Sequence, residues 1–77
     1  MDIKEIIYEE IKKTFGITEL NDDMNLYDDL ALSSLDAMEM IGILEERLNI
    51  EINEEVLGEV STLGDFIQAI KKESEGK

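Results

Sequence analysis

Apolar residues recur with a helical period in three stretches of this chain, and the segments between follow no single period. Ile3, Ile6, Ile7 and Ile11 fall at i, i+3, i+4 and i+8, one stripe on a helix predicted from Met1 to Phe15. Asp2 is placed to cap its start, and Gly16 stands where helices usually stop. A second helix is predicted from Ser34 to Leu48. Ala37, Met40, Ile41, Leu44 and Leu48 share one face of it, which is assigned to the core. Ser33 is a good N-cap, and Asp36 completes a capping-box pattern with Asp in place of the usual Glu. A last helix opens after Thr62, again with an acid, Asp65, at its third position. Leu63, Phe66, Ile67 and Ile70 form its stripe. Lys71 and Lys72 suit the negative end of its dipole, and residues 73–77 read as a frayed tail.

The outer face of the second helix is only partly polar. Leu35, Met38 and Gly42 lie there, flanked by Glu39, Glu45 and Glu46. A thin apolar strip edged by carboxylates has the character of a docking surface; scattered surface apolarity is the plainer alternative. The connection from Gly16 to Ser33 is long for a small domain. Ile17, Leu20, Met24, Leu26, Leu30 and Leu32 are spaced along it, which predicts that it is pinned to the core. Asn49 to Asn53 alternates over too few residues for a sheet, and Glu54 to Gly58 is predicted as a short third helix. Pro is absent and Gly sparse, which favours helices over a turn-rich β architecture. The reading is all-α: a four-helix bundle with a short third helix and a long first loop, in one domain over residues 1–77 without internal repeats.

Charge narrows the partners. Seven basic residues face 20 acidic ones, a formal charge of −13. Phosphate contacts need Lys and Arg, so nucleic acid is excluded as a partner, and an anionic membrane surface repels the chain as well. Proteins with basic patches are the natural partners, although solubility alone would also account for the acidity. Cys and His are both absent. Thiol nucleophiles and zinc-thiolate sites are therefore excluded, and the commonest general base is missing. No apolar run approaches the ~20 residues of a membrane span and no signal-peptide pattern opens the chain, so a cytoplasmic location is expected.

Asn21-x-Asp23-x-Asn25 invites a calcium-loop reading, which fails because Leu26 stands at the sixth position and Leu32 at the twelfth. No metal site is predicted. A hydrolase lacks its base, and no Gly-rich nucleophile elbow is present. The informative segment is Asp29-Leu30-Ala31-Leu32-Ser33-Ser34-Leu35-Asp36. Ser34 follows a capping residue, so it takes the first helical position, where backbone N–H groups are unpaired and the dipole end is positive. An anionic group on its oxygen would sit in a favourable field, and a phosphodiester fits that description. A phosphodiester-linked arm ending in a thiol would supply the thiol that the sequence lacks. The plainer alternative is that both serines merely cap a helix.

Taken together, the chain resembles the acyl carrier proteins of the phosphopantetheine-binding family. The signature is Ser34-Leu35-Asp36, preceded by Asp29-Leu30 and followed by Ala37-Met38-Glu39-Met40 through Glu45-Glu46. Asn49-Ile50-Glu51-Ile52 resembles the family's link after that helix, and Val60-Ser61-Thr62-Leu63 its entry to the last one. The resemblance implies a carrier and not an enzyme, with 4'-phosphopantetheine from coenzyme A on Ser34 and acyl cargo held as a thioester for fatty-acid or related biosynthesis. It implies a phosphopantetheinyl transferase and acyl-transferring or synthase enzymes with basic docking patches as partners, met by a monomer through Leu35, Asp36, Met38, Glu39, Glu45 and Glu46. Gly42 lies on the same face. Ser33 stands where many members have Asp, Ala31 where many have Gly, Asn53 where many have Pro, and Arg47 adds a positive charge to a helix usually acidic. A specialised carrier of another pathway (polyketide or aminoacyl), or an acidic adaptor with no prosthetic group, are the alternatives; Ser34→Ala separates the adaptor from any carrier.

Overall fold

Helix boundaries in this protein are set largely by short-range hydrogen bonds at their ends. In the computed structural model, which describes residues 2–75, α1 spans Ile3–Phe15, α2 spans Ser34–Leu48 and α3 spans Leu63–Glu75. Asp2 occupies the cap position of α1, but its carboxylate makes no capping bond, contrary to expectation. It is exposed at the chain start, and water can serve the first-turn N–H groups instead. Gly16 closes the helix in the left-handed region at φ 71°, where a Cβ would be penalised, and its N–H donates to the Lys12 carbonyl. At the far end of α2, Asn49 does the same at φ 55°, donating to the Glu45 carbonyl.

The expected third helix is a 3-10 helix of 5 residues, Glu54–Gly58. The described residues therefore hold three α-helices, not four. A segment this short gains few i→i+4 bonds, and the tighter 3-10 ladder suits it better. The side chain of Asn53 caps it by accepting from the Glu55 N–H at 2.9 Å. The tail expectation also needs correction: α3 continues to Glu75. Lys71 to Glu75 contains good helix formers and no Gly or Pro, so nothing local ends the helix there. Residues 76 and 77 lie outside the described residues.

The core forms where the three stripes meet. Ile7, Ile11, Met40, Leu44, Leu63 and Ile70 are its most enclosed side chains. α1 packs on both α2 and α3, and the 3-10 helix rests against α2 and α3. Leu48, assigned to the core face, is only half-buried at the end of α2. The long connection contributes Leu26, Leu30 and Leu32 to the core, while Ile17, Leu20 and Met24 pack partly buried against it. Main-chain bonds hold it there as well. The Leu26 N–H donates to the Ser61 carbonyl at 3.0 Å, and the Leu63 N–H to the Met24 carbonyl at 2.8 Å. Gly64 donates to the Asp22 carbonyl at 2.8 Å. A Cβ on Gly64 would meet that same oxygen at 3.1 Å, so this approach requires glycine or a shift. Asp22 also receives the Tyr8 hydroxyl at 2.7 Å and the Lys4 ammonium at 3.2 Å, which fastens α1 to the same point.

Candidate functional site

Ser34 owes its position to the segment before it. The Asn25 side chain accepts from the N–H groups of Tyr27 and Asp28, both at 2.9 Å, and its carbonyl accepts from Asp29 and Leu30, both at 3.0 Å. Asp29 returns a bond, its carboxylate accepting from the Asn25 N–H at 2.7 Å. This turn drives Leu30 inward. Ala31 then reverses the chain at φ 57°, a left-handed conformation unusual for a residue with a side chain. Leu32 returns to the core, its N–H donating to the Leu26 carbonyl at 3.1 Å. Two buried leucines thus bracket one exposed, strained alanine, and α2 begins directly afterwards.

The start of α2 is a complete capping box. The Asp36 N–H donates to the Ser33 hydroxyl at 3.1 Å, and the Ser33 N–H donates to the Asp36 carboxylate at 3.0 Å. The Ala37 N–H donates to the Ser33 carbonyl at 3.0 Å. The N–H groups of Ser34 and Leu35 precede the helical ladder, so the field there is positive. Ser34 is exposed in this first turn. The nearest carboxylate in sequence, that of Asp36, is already engaged by the Ser33 N–H. The residues present suit a phosphate ester: an exposed serine, a capped first turn, and first-turn N–H groups that precede the helical ladder.

The structure divides the sequence-predicted docking residues into two sets. Leu35 is 76% exposed and Met38 43%, and they are the large apolar side chains most exposed among the described residues. Glu39, Gly42 and Glu46 are exposed with them on the outer side of α2. Asp36 and Glu45 are half-buried and employed internally. Asp36 serves the cap, and the Glu45 carboxylate accepts from the Ile52 N–H at 2.9 Å, tying the link after α2 back to the helix. Arg47 is also committed. Its guanidinium bonds Glu9 at 2.7 Å and Glu10 at 2.6 Å, both on α1. Those bonds hold it still more firmly in its charged form, that to Glu9 contributing most. The positive charge that set this helix apart is thus neutralised across the bundle, away from Ser34.

The sequence pattern raised Asn25 only as a failed calcium-loop position, not as the hub of a turn, and it did not reveal the Arg47 pairing. An Asn followed three and four residues later by Asp is a recognisable turn signal, so the Asn25 hub had a local cue. The ion pair joins residues 37 apart and had none. The calcium-loop candidates are used as turn formers: the Asn21 side chain accepts from the Asp23 N–H at 2.9 Å, and Asn25 is occupied as described. Among the described residues, no group of three or more acidic side chains converges to hold a metal ion. None of their helices is long and apolar enough to cross a membrane. A surface groove lies on α1, lined by Glu5, Tyr8, Glu9, Lys12 and Lys13, and includes none of the candidate residues.

Comparison with known proteins agrees with this geometry. Residues 5–70 match the family model described as phosphopantetheine attachment site. The acyl carrier protein of Chlamydia caviae is 39% identical over 70 residues, covering 91% of this chain and 88% of that protein. That of Wolinella succinogenes is 34% identical over 70 residues, covering 91% and 90%. That of Clostridium acetobutylicum is 36% identical over 73 residues, covering 95% and 92%. An exposed serine on a capped helix start, an acidic helix behind it and these relatives lead to one conclusion: the chain belongs to the acyl carrier proteins, the phosphopantetheine-attachment family.

Proposed function

We propose that Ser34 is the attachment residue, and that the chain carries acyl groups as thioesters on a 4'-phosphopantetheine arm joined there. One observation carries this reading: Ser34 is exposed in the first turn of α2, at the first helical position inside the Ser33–Asp36 capping box. In the loading step, a base of the partner transferase takes the Ser34 proton. The serine oxygen then bonds to the phosphorus that bears the pantetheine arm, the pyrophosphate linkage of coenzyme A breaks, and the adenosine bisphosphate leaves. This chain contributes position and field. It supplies no His, and Asp36 is occupied by the cap.

Leu35, Met38, Glu39, Gly42 and Glu46 form the docking face, with Asp36 and Glu45 adding charge at its edges. The partners are the transferase and then acyl-transferring and synthase enzymes of fatty-acid or related biosynthesis, each with a basic patch. The carrier acts as a cytoplasmic monomer. Its 3-10 helix takes the place of the short third helix in the family's four-helix plan. Intact mass after incubation with coenzyme A and a broad-specificity transferase tests the assignment. One phosphopantetheine should be added to the native chain and none to Ser34→Ala. A native chain that stays unmodified while a control carrier is labelled would leave only an acidic adaptor.

A further inference from the structure

Gly42 lies in the interior of α2, on its exposed side. Its φ is not positive, so the backbone there does not call for glycine. A Cβ built on it meets nothing within 4 Å, so neighbouring atoms do not call for glycine either. Glycine inside an exposed helix is the costliest choice after proline. Neither backbone conformation nor neighbouring atoms account for it, which turns attention to the open surface it leaves.

The neighbours suggest what that use is. At helical spacing Gly42 follows Met38 by one turn and Leu35 by two, and it precedes Glu46 by one. It therefore leaves a gap in the outer surface, with apolar side chains on the Ser34 side and carboxylates at Glu39 and Glu46. Eight residues separate Gly42 from Ser34, about 12 Å along the helix at ~1.5 Å each. A standard footprint of about 800 Å² per partner, placed around Ser34, covers that distance. Any enzyme that works at Ser34 and lies along α2 will cover the gap.

We infer that the gap over Gly42 is a specificity seat: it receives an apolar side chain projecting from the basic surface of the docking enzyme, and Glu39 and Glu46 hold the cations around that side chain. The inference rests on the carrier reading and adds the shape of the partner. Carriers with a side chain here would present a ridge, and enzymes fitted to this chain would meet it with a knob.

Gly42→Ala and Gly42→Gln test the idea with the transferase and coenzyme A as probe. Both replacements favour the helix, so melting temperature should rise, by about 4–8 °C for Ala. KM for the carrier should rise slightly with Ala and about tenfold or more with Gln, the scale of one misplaced side chain, while kcat holds. A more stable carrier that docks worse cannot be dismissed as misfolded. An unchanged or lower KM in Gly42→Gln would overturn the seat while leaving Ser34 loading intact. A native chain that accepts no phosphopantetheine would instead overturn the attachment reading, and the seat with it.

Discussion

Replacing Ala31 by glycine should stabilise this protein, although glycine ordinarily destabilises. Ala31 is exposed at φ 57°, three residues before Ser34. An L-residue with a Cβ in the left-handed region costs roughly 1–2 kcal/mol, through crowding against the following carbonyl. Glycine escapes that cost but leaves the unfolded chain freer, which opposes folding by about 0.4–1 kcal/mol. Little packing is lost, because the methyl group is exposed. The balance favours Ala31→Gly by about 0.5–1 kcal/mol, or roughly 2–8 °C in melting temperature for a domain this small. Urea denaturation followed by circular dichroism measures it: the midpoint should rise with the slope m unchanged. Ala31→Val, β-branched and worse in this region, should move the midpoint the other way. A fall in stability for Ala31→Gly would mean that the strain is not borne at this residue and would refute the reasoning.

Two further outcomes follow from named contacts. Ser33→Ala removes the hydroxyl that caps the Asp36 N–H and should cost about 1 kcal/mol, while Ser33→Asp restores an acceptor and should recover most of that loss on thermal melting. Tyr8 is pushed up to about 12, first by burial and then by its bond to Asp22, so its folded value lies above the ordinary 10.0. Its contribution is therefore complete below about pH 10 and lost as pH rises through about 12. In Tyr27→Phe, the single remaining tyrosine should titrate by absorbance near the upper value, and a midpoint near 10 would contradict the Tyr8–Asp22 bond.

Much of the fold was readable because local signals and packing agree. The bounds of α2 are fixed by Ser33 with Asp36 at one end and a left-handed Asn49 at the other, and both are short-range chemistry. The stripes of α1 and α3 settled which faces are buried. Leu26, Leu30 and Leu32 correctly implied a pinned loop, but their spacing did not say what pins it. That answer lies in main-chain bonds to Ser61 and from Leu63, more than 30 residues away, which no periodicity encodes. Asp2 and the 3-10 helix went the other way. Asp2 offers a cap by type, yet it is exposed and its carboxylate makes no capping bond. Glu54 to Gly58 has a helical composition, but at that length backbone geometry outweighs composition. For the candidate site, the first-turn position of Ser34 was legible through its cap, whereas the division of the candidate docking acids was not. Glu45 and Glu46 are adjacent and chemically alike, and only the path of the chain after α2 makes one of them a ligand for the Ile52 N–H.

The distribution of charge follows from the same arrangement. A chain of −13 must fold against its own repulsion. Two of its few cations are placed where they join elements: Lys4 bonds Asp22, and Arg47 bonds Glu9 and Glu10. Glu10 is only 5% exposed, so Arg47 also answers a carboxylate that could not stay buried alone. The guanidinium is drawn to the α1 side of the bundle, and from Ser34 through Glu46 α2 carries no cation of its own. The pairing that stabilises the α1–α2 contact thus leaves the exposed acids near Ser34 uncompensated. Those acids repel one another within the chain, and under the proposed docking a basic enzyme would relieve that repulsion. Attraction of this kind is long-range and weakened by salt, which suits encounters that must be fast and brief. The apolar strip and the gap beside it would, on the proposed reading, act only at contact, where they would distinguish one basic surface from another.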